Sequence, residues 1–155
     1  VDSNQKYNIK DAVEVSSMLA TYDVKWFEEP VLADSIDDLA EFSKKSAVPV
    51  AAGENSYMRW GFREICERKA AAYIQPDVGR CGGITEFRKI AHLAEAFNLD
   101  LCSHLLEEVS VCLIGATPAG CMVEYADFWI LRKCRFDFDE FVYADLSMVL
   151  SKTDI

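Results

Sequence analysis

Short apolar runs alternate with longer amphipathic segments along this chain, and this alternation restricts its fold more than any other feature. The apolar runs are nearly continuous, as expected for strands of a parallel sheet that is covered on both faces. The predicted strands span residues 24–27, 48–52, 72–74, 99–102 and 121–123. The predicted helices span residues 9–21, 35–46, 60–69, 84–97 and 109–116. A βα unit that repeats roughly every 20 to 27 residues predicts an α/β fold, either a (β/α) barrel or a doubly wound sheet.

Length and composition limit the size of this fold and the kinds of partner it can bind. The 155 residues suffice for one domain, but they fall short of the roughly 200–250 residues of a complete eight-stranded barrel. A chain with 51% hydrophobic and 27% charged residues is expected to be globular. Its net charge of −10 repels phosphate backbones and anionic lipid surfaces. We therefore expect no binding to nucleic acids or membranes, whereas a metal cation remains a plausible ligand.

Cysteine usage and the absence of a leader indicate the compartment. None of the six cysteines forms a Cys-x-x-Cys pair, and most lie in apolar runs, where buried thiols act as small hydrophobic groups. No basic and apolar leader opens the chain, and the longest apolar stretch, around residues 111–116, is too short to span a bilayer. These features predict a cytoplasmic protein in a reducing environment.

An ionisable side chain lies near the carboxyl end of each of the five predicted strands, and a sixth lies at the start of the chain in a strand-like context. The six are Asp2, Glu28, Glu54, Asp77, His104 and Glu124, spaced roughly 20 to 27 residues apart. Because the carboxyl ends of parallel strands meet on one rim, we expect these side chains to converge where α/β folds place their sites. Taken singly, each acid is more often a helix cap or a dipole partner. The regular phasing of all six makes that explanation improbable for the whole set.

The residue types on this rim suit acid–base chemistry beside a metal ion. Asp2, Glu28 and Glu54 offer oxygen ligands of the kind that Mg²⁺ prefers, and Glu29 is the member of the acidic pair that we expect to be structural. Asp77 and His104 could pair, with the carboxylate fixing the imidazole tautomer. A protonated Glu124 could donate a hydrogen bond to a developing oxyanion. A barrel metallohydrolase fits less well, because such sites usually use more than one histidine at the metal.

Seven ordered motifs resemble the barrel of the enolase superfamily, and the Asp/His pair followed by a Glu resembles its mandelate racemase subgroup. The motifs are Val1-Asp2-Ser3-Asn4-Gln5, Phe27-Glu28-Glu29-Pro30, Gly53-Glu54-Asn55, Gln75-Pro76-Asp77, Gly82-Gly83-Ile84-Thr85, Ser103-His104 and the terminal Glu124. The resemblance covers residues 1 to about 126. It implies a partial (β/α)8 barrel of the TIM type, running from the end of strand three to strand eight, with the capping domain absent.

The resemblance also implies a reaction. In this family, residues at the positions of Asp2, Glu28 and Glu54 bind Mg²⁺. The Asp77–His104 dyad would take the proton α to a substrate carboxylate, and Glu124 would hydrogen-bond the resulting enediolate. Dehydration of a small acid sugar is the expected outcome. Racemisation or epimerisation of a 2-hydroxy acid is the alternative, although the family's second base, in a Lys-x-Lys motif, would lie upstream of Val1.

Two expectations concern organisation. We expect residues 1–126 to form the partial barrel and residues 127–155 to form a tail with an appended strand or helix. An incomplete barrel exposes strand edges that invite pairing with another chain, so a homo-oligomer or a complementary chain is expected. A catalytically inert fragment that only self-associates is therefore a further alternative.

Overall fold

The structure, a computed structural model, describes residues 1–126 and the backbone of one further strand at Val142–Asp145. Except for that strand, the predicted tail of residues 127–155 lies outside the described residues.

In the part of the chain that the structure describes, six strands form one sheet whose spatial order follows their order in the sequence. The first five are parallel neighbours, and the sixth runs antiparallel to the fifth. The strands are β1 (Phe27–Glu28), β2 (Val50–Ala52), β3 (Tyr73–Ile74), β4 (Asp100–Cys102), β5 (Gly120–Tyr125) and β6 (Val142–Asp145). The predicted partial α/β barrel is confirmed, and each of the five predicted strands overlaps an observed one.

Each connection between consecutive parallel strands carries a helix, which returns the chain to the start of the next strand. The helices are α1 (Ile9–Leu19), α2 (Ile36–Lys45), α3 (Met58–Glu67), α4 (Ile84–Ala96) and α5 (Glu107–Gly115), with α1 extended by a 3-10 turn at Ala20–Tyr22. Helix α1 begins where the Asn8 side chain accepts a hydrogen bond from the Asp11 amide at 3.0 Å. None of these helices is long and apolar enough to cross a membrane, a finding that covers the described residues alone.

Alternating side chains of the strands form two apolar layers. The larger layer packs the sheet against the helices, and Phe27 of β1 meets Phe42 of α2 edge to face, with ring centroids 5.9 Å apart. The smaller layer, on the opposite face of the sheet, contains Trp26, Ala51 and Cys102. Both faces of the sheet are therefore covered, which explains why the strands read as continuous apolar runs.

Local irregularities at the strand ends direct the following side chains toward the rim. Gly53 adopts a φ of +138°, and a Cβ there would lie 2.7 Å from the Phe62 ring. The register between β4 and β5 shifts so that Leu101 pairs with Gly120 but Cys102 pairs with Met122. This bulge lies two residues before both His104 and Glu124, a position where bulges commonly redirect side chains next to sites.

Candidate active site

The six ionisable side chains identified from the sequence lie at the carboxyl ends of the parallel strands. Isolated parallel bridges join Asp2 to Glu28 and Asp77 to His104, so the sheet continues past its regular strands at both places. Glu54 follows β2 by two residues, and Glu124 lies near the end of β5. All except Asp2 and Glu54 are buried.

Asp77 and His104 form a buried pair whose hydrogen bonds indicate which imidazole nitrogen donates and which can act as a base. The Nδ1 atom of His104 lies 2.7 Å from Oδ2 of Asp77. The other oxygen, Oδ1, accepts hydrogen bonds from the backbone amides of Gly79 at 2.6 Å and Arg80 at 3.0 Å. Because a carboxylate only accepts, Nδ1 donates to it, which leaves Nε2 as the nitrogen that can act as a base.

Glu54 lies between this pair and the other acids. Its Oε2 atom is 3.4 Å from Nε2 of His104, and its Oε1 atom is 3.4 Å from Nη1 of Arg80. Burial raises the pKa of Glu54 to about 8, with smaller contributions from the negative charges of Glu29, Glu28 and Asp2, while Arg80 acts in the opposite direction. Burial and the neighbouring acids therefore both disfavour the charged form of Glu54.

The adjacent acids Glu28 and Glu29 have different surroundings. Oε2 of Glu28 accepts a hydrogen bond from the indole of Trp26 at 2.9 Å. Glu29 accepts from the amide of Asn55 at 3.0 and 3.1 Å and from that of Gln5 at 3.1 Å. Burial raises the pKa of Glu29, and the two amides partly offset that effect. Both oxygens of Glu29 are thus held by amide side chains.

Asp2 and Glu124 lie at opposite ends of the row. Asp2 is exposed, and its Oδ1 atom accepts from the Asn4 amide at 2.8 Å. Glu124 is buried; its Oε2 atom accepts from the Leu105 amide at 2.8 Å, and its own amide donates to Oγ of Ser103 at 3.2 Å. The two residues that flank His104 in sequence therefore fix Glu124 beside it.

The carboxylates of this row are suitable ligands for a hard divalent cation, because such cations prefer oxygen donors. Across residues 1–126, however, no three His, Cys, Asp or Glu side chains are already grouped so that they could hold one metal ion. Binding would accordingly require at least one of these carboxylates to move toward the others.

Sequence reasoning gave no role to Arg80, Asn55 or Gln5. Asn55 and Gln5 lie inside motifs whose acidic members carry the predicted chemistry, and Arg80 lies three residues after Asp77. Their partners come from neighbouring βα units, so only the fold reveals their contacts. The one available signal is position, since each closely follows a residue of the predicted site.

Comparison with known proteins identifies one family that matches almost the whole chain and relatives that match most of it. A family described as "Enolase C-terminal domain-like" matches residues 1–153. The chain is 33% identical to a 3,6-anhydro-alpha-L-galactonate cycloisomerase of Streptomyces coelicolor over 128 residues, covering 83% of the chain and 36% of the relative. It is 36% identical to an arabinonate dehydratase of Saccharolobus solfataricus over 104 residues, covering 67% of the chain and 28% of the relative.

Solved structures show the same relationship in three dimensions. The L-talarate dehydratase of Polaromonas sp. JS666, crystallised with Mg and L-glucarate, superposes with a TM-score of 0.78 at 33% identity. The alignment covers 84% of this chain and 35% of that one. The chain thus spans about a third of the length of the proteins it matches.

Proposed function

The chain belongs to the enolase C-terminal domain-like family, and on that premise we propose that its rim abstracts the proton α to a substrate carboxylate in a dehydration of an acid sugar. The observation that carries this proposal is the buried His104–Asp77 pair, with an Nδ1–Oδ2 distance of 2.7 Å, next to a row of carboxylates. The relatives named as dehydratases and cycloisomerases act on sugar acids by name, which supports the general reaction class.

In the proposed reaction His104 is the base. Its Nε2 atom takes the α-proton, and Asp77 stabilises the imidazolium that forms because it accepts the Nδ1 hydrogen bond. The electron pair of the broken C–H bond moves into the substrate carboxylate and then expels the β-hydroxyl group. The proton held on Nε2 can be delivered to that hydroxyl, which leaves as water and yields an enol of a 2-keto acid.

Glu124 is proposed to stabilise the negative charge that develops on the substrate carboxylate. It is 4% exposed and held by the Leu105 amide at 2.8 Å. If it is protonated, its carboxyl group can donate a hydrogen bond to a developing oxyanion, which a carboxylate could not do.

Asp2, Glu28 and Glu54 are the residues that we propose hold Mg²⁺. Burial raises the pKa of Glu54 to about 8, and the negative charges of neighbouring acids add to that shift. A divalent cation would relieve the repulsion between these charges. When bound, Mg²⁺ supplies positive charge that stabilises the oxyanion of a substrate carboxylate.

Exchange of the substrate α-proton tests this function without knowledge of the natural substrate. We would incubate the chain with Mg²⁺ and a panel of aldonic and aldaric acids in deuterated water. Proton NMR would follow loss of the α-proton signal, and a carbonyl reagent would detect 2-keto products. Exchange with a 2-keto product indicates dehydration, whereas exchange with inverted configuration and no keto product indicates the racemase alternative.

The two histidines of the chain provide a matched pair of variants. His104→Asn is expected to reduce the exchange rate by roughly 10²–10⁴-fold, the usual contribution of a general base. His92→Asn should leave the rate unchanged, because His92 is 71% exposed and lies 3.6 Å from Glu95 on the outside of α4. Exchange that persists in His104→Asn contradicts the role given to His104. Complete absence of exchange in the wild-type chain favours the inert alternative.

A further inference from the structure

Four polar side chains connect consecutive βα units behind the acids of the site. We call Gln5, Glu29, Asn55 and Arg80 the outer row; each follows a residue of the proposed site by one to three positions in sequence. Gln5 also accepts a hydrogen bond from the backbone amide of Ala33 at 3.0 Å, which fixes that end of the row. The outer row therefore links the loops after the first four strand ends of the described chain.

Arg80 is the cation of this row and joins two units by itself. Its Nη1 atom lies 3.1 Å from Oδ1 of Asn55, 3.4 Å from Oε1 of Glu54 and 3.5 Å from the Glu54 carbonyl oxygen. Its Nε atom is 4.0 Å from Oδ2 of Asp77. The backbone of Arg80 is itself fixed, since its amide donates to the Asp77 side chain at 3.0 Å. A single guanidinium is therefore held in place against both Glu54 and Asp77.

Asn55 connects Arg80 to Glu29, which belongs to the preceding βα unit. Its oxygen accepts from Arg80, which directs the NH₂ group toward Glu29 at 3.0 and 3.1 Å and toward Oε1 of Glu54 at 3.4 Å. The amide cannot flip without losing the contacts on both sides, because an Asn amide has one accepting and one donating end. Oε1 of Glu54 consequently has two donors, one from Arg80 and one from Asn55.

We propose that Arg80 and Asn55 are positioning residues that orient the Glu54 carboxylate for binding a divalent cation. The inference rests on the proposed function, in which Glu54 is a metal ligand. Partners that hydrogen-bond to metal ligands fix their orientation, and losing one typically weakens metal affinity by about 10- to 100-fold.

If Arg80 acted only through its charge, its removal would change the metal affinity in the opposite direction. A positive charge 3.4 Å from a metal ligand repels a cation, so its removal would tighten binding if charge were its only contribution. Lysine keeps that charge but lacks the planar group that contacts Asn55 and Glu54 together. The variants Arg80→Lys and Arg80→Met therefore separate orientation from charge.

The first measurement is Mn²⁺ binding to the 155-residue chain, monitored by electron paramagnetic resonance. Arg80→Lys, Arg80→Met and Asn55→Leu are each expected to weaken Mn²⁺ binding by about tenfold or more. Arg63→Met is the matched control, because Arg63 is a half-exposed arginine that pairs with Glu67 at 3.5 Å on α3, and it should bind as wild type. Unchanged affinity in Arg80→Lys together with unchanged or tighter binding in Arg80→Met would overturn the proposal.

Hydrogen exchange of the metal-free chain, measured by mass spectrometry, separates this proposal from the proposed function. If Arg80 and Asn55 hold Glu54, peptides covering residues 53–56 should exchange faster in Arg80→Met and Asn55→Leu than in Arg63→Met. Equal exchange in all three variants would refute the positioning role. A wild-type chain that binds no Mn²⁺ would contradict the metal site itself, while the exchange data would still decide whether these two residues order the Glu54 loop.

Discussion

The partner of Nδ1 determines which nitrogen of His104 can act as the base. Asp77 accepts the Nδ1 proton at 2.7 Å, and two backbone amides hold its second oxygen, so the imidazole has one tautomer and one orientation. This arrangement makes Asp77 a determinant of the proposed base even though it does not itself contact the α-proton.

Replacing Asp77 by Asn tests this dependence with minimal change in shape. The Asn amide can donate to Nδ1, which would move the imidazole proton to Nε2 and remove the basic nitrogen from the site. We expect Asp77→Asn to slow α-proton exchange in deuterated water by roughly 10²–10⁴-fold, with the circular dichroism spectrum unchanged. A rate close to that of wild type would mean that His104 keeps its basic nitrogen without the carboxylate.

At the scale of elements, α3 and α4 are joined by a charged cluster on the outside of the sheet. Glu86 of α4 is buried and pairs with Arg59 of α3 and with Lys89, each at 2.6 Å. The hydrogen bond from Lys89, together with donors from Arg59, lowers the pKa of Glu86 from 4.5 to about 2. Glu86 therefore remains charged in the folded chain at pH values where an unfolded chain would protonate it.

This shift gives a pH-dependent prediction for stability. Because the folded pKa lies below the unfolded value, the contribution of Glu86 is fully present above about pH 5 and is lost as the pH falls toward 2. Thermal unfolding of Glu86→Gln should thus occur below the wild-type temperature at neutral pH, and the difference should shrink on acidification. Glu67→Gln provides the control, because Glu67 forms an exposed ion pair with Arg63 within α3. A temperature difference that is independent of pH would contradict this reading of the cluster.

The connection from α5 to β5 depends on a glycine. A Cβ at Gly120 would collide with the carbonyl oxygen of Ile114 and lie 2.9 Å from that of Thr117, whereas a Cβ at Gly115 would meet no atom within 4 Å. We expect Gly120→Ala to lower the free energy of unfolding by about 1–3 kcal/mol. Gly115→Ala, at the end of α5, should leave it unchanged or raise it by about 0.5 kcal/mol. Denaturant unfolding of both variants checks this, and equal losses would show that the backbone contact at Gly120 is unimportant.

At the scale of the whole molecule, the sequence predicted the order of elements and the rim but not the contacts across it. The sequence predicts a strand at residues 72–74, and β3 lies at Tyr73–Ile74. The prediction succeeds because a short apolar run between two amphipathic helices is typical of a buried strand. Apolar periodicity is a local signal that acts within one βα unit. Arg80 and Asn55 belong to a different kind of interaction, since their partners lie about 25 residues away along the chain and become neighbours only when parallel strands pair.

Among the described residues, the sheet has an open edge beyond β1. Strand β1 pairs with β2, and its other side carries the short segment Val1–Ser3, through the Asp2–Glu28 bridge and the Ser3 amide at 3.2 Å from the Glu28 carbonyl. In the part of the chain that the structure describes, no strand pairs with the outer side of this segment. Its backbone groups can accept another strand, and the Val1 side chain, 57% exposed, adds apolar surface there.

We therefore expect the 155-residue chain to self-associate through this edge, more strongly at high ionic strength, where its net charge of −10 is screened. Size-exclusion chromatography with light scattering, over a series of protein and salt concentrations, should show a mass that rises with both.

Val1→Lys should shift the distribution toward monomer, because a lysine at a strand edge opposes pairing. Met18→Lys removes a side chain of similar exposure, 56%, from the outside of α1 and should not change the distribution. If both variants weaken association equally, general apolar contact rather than strand pairing holds the copies together. A monomer under all conditions would show that the edge does not recruit a second copy.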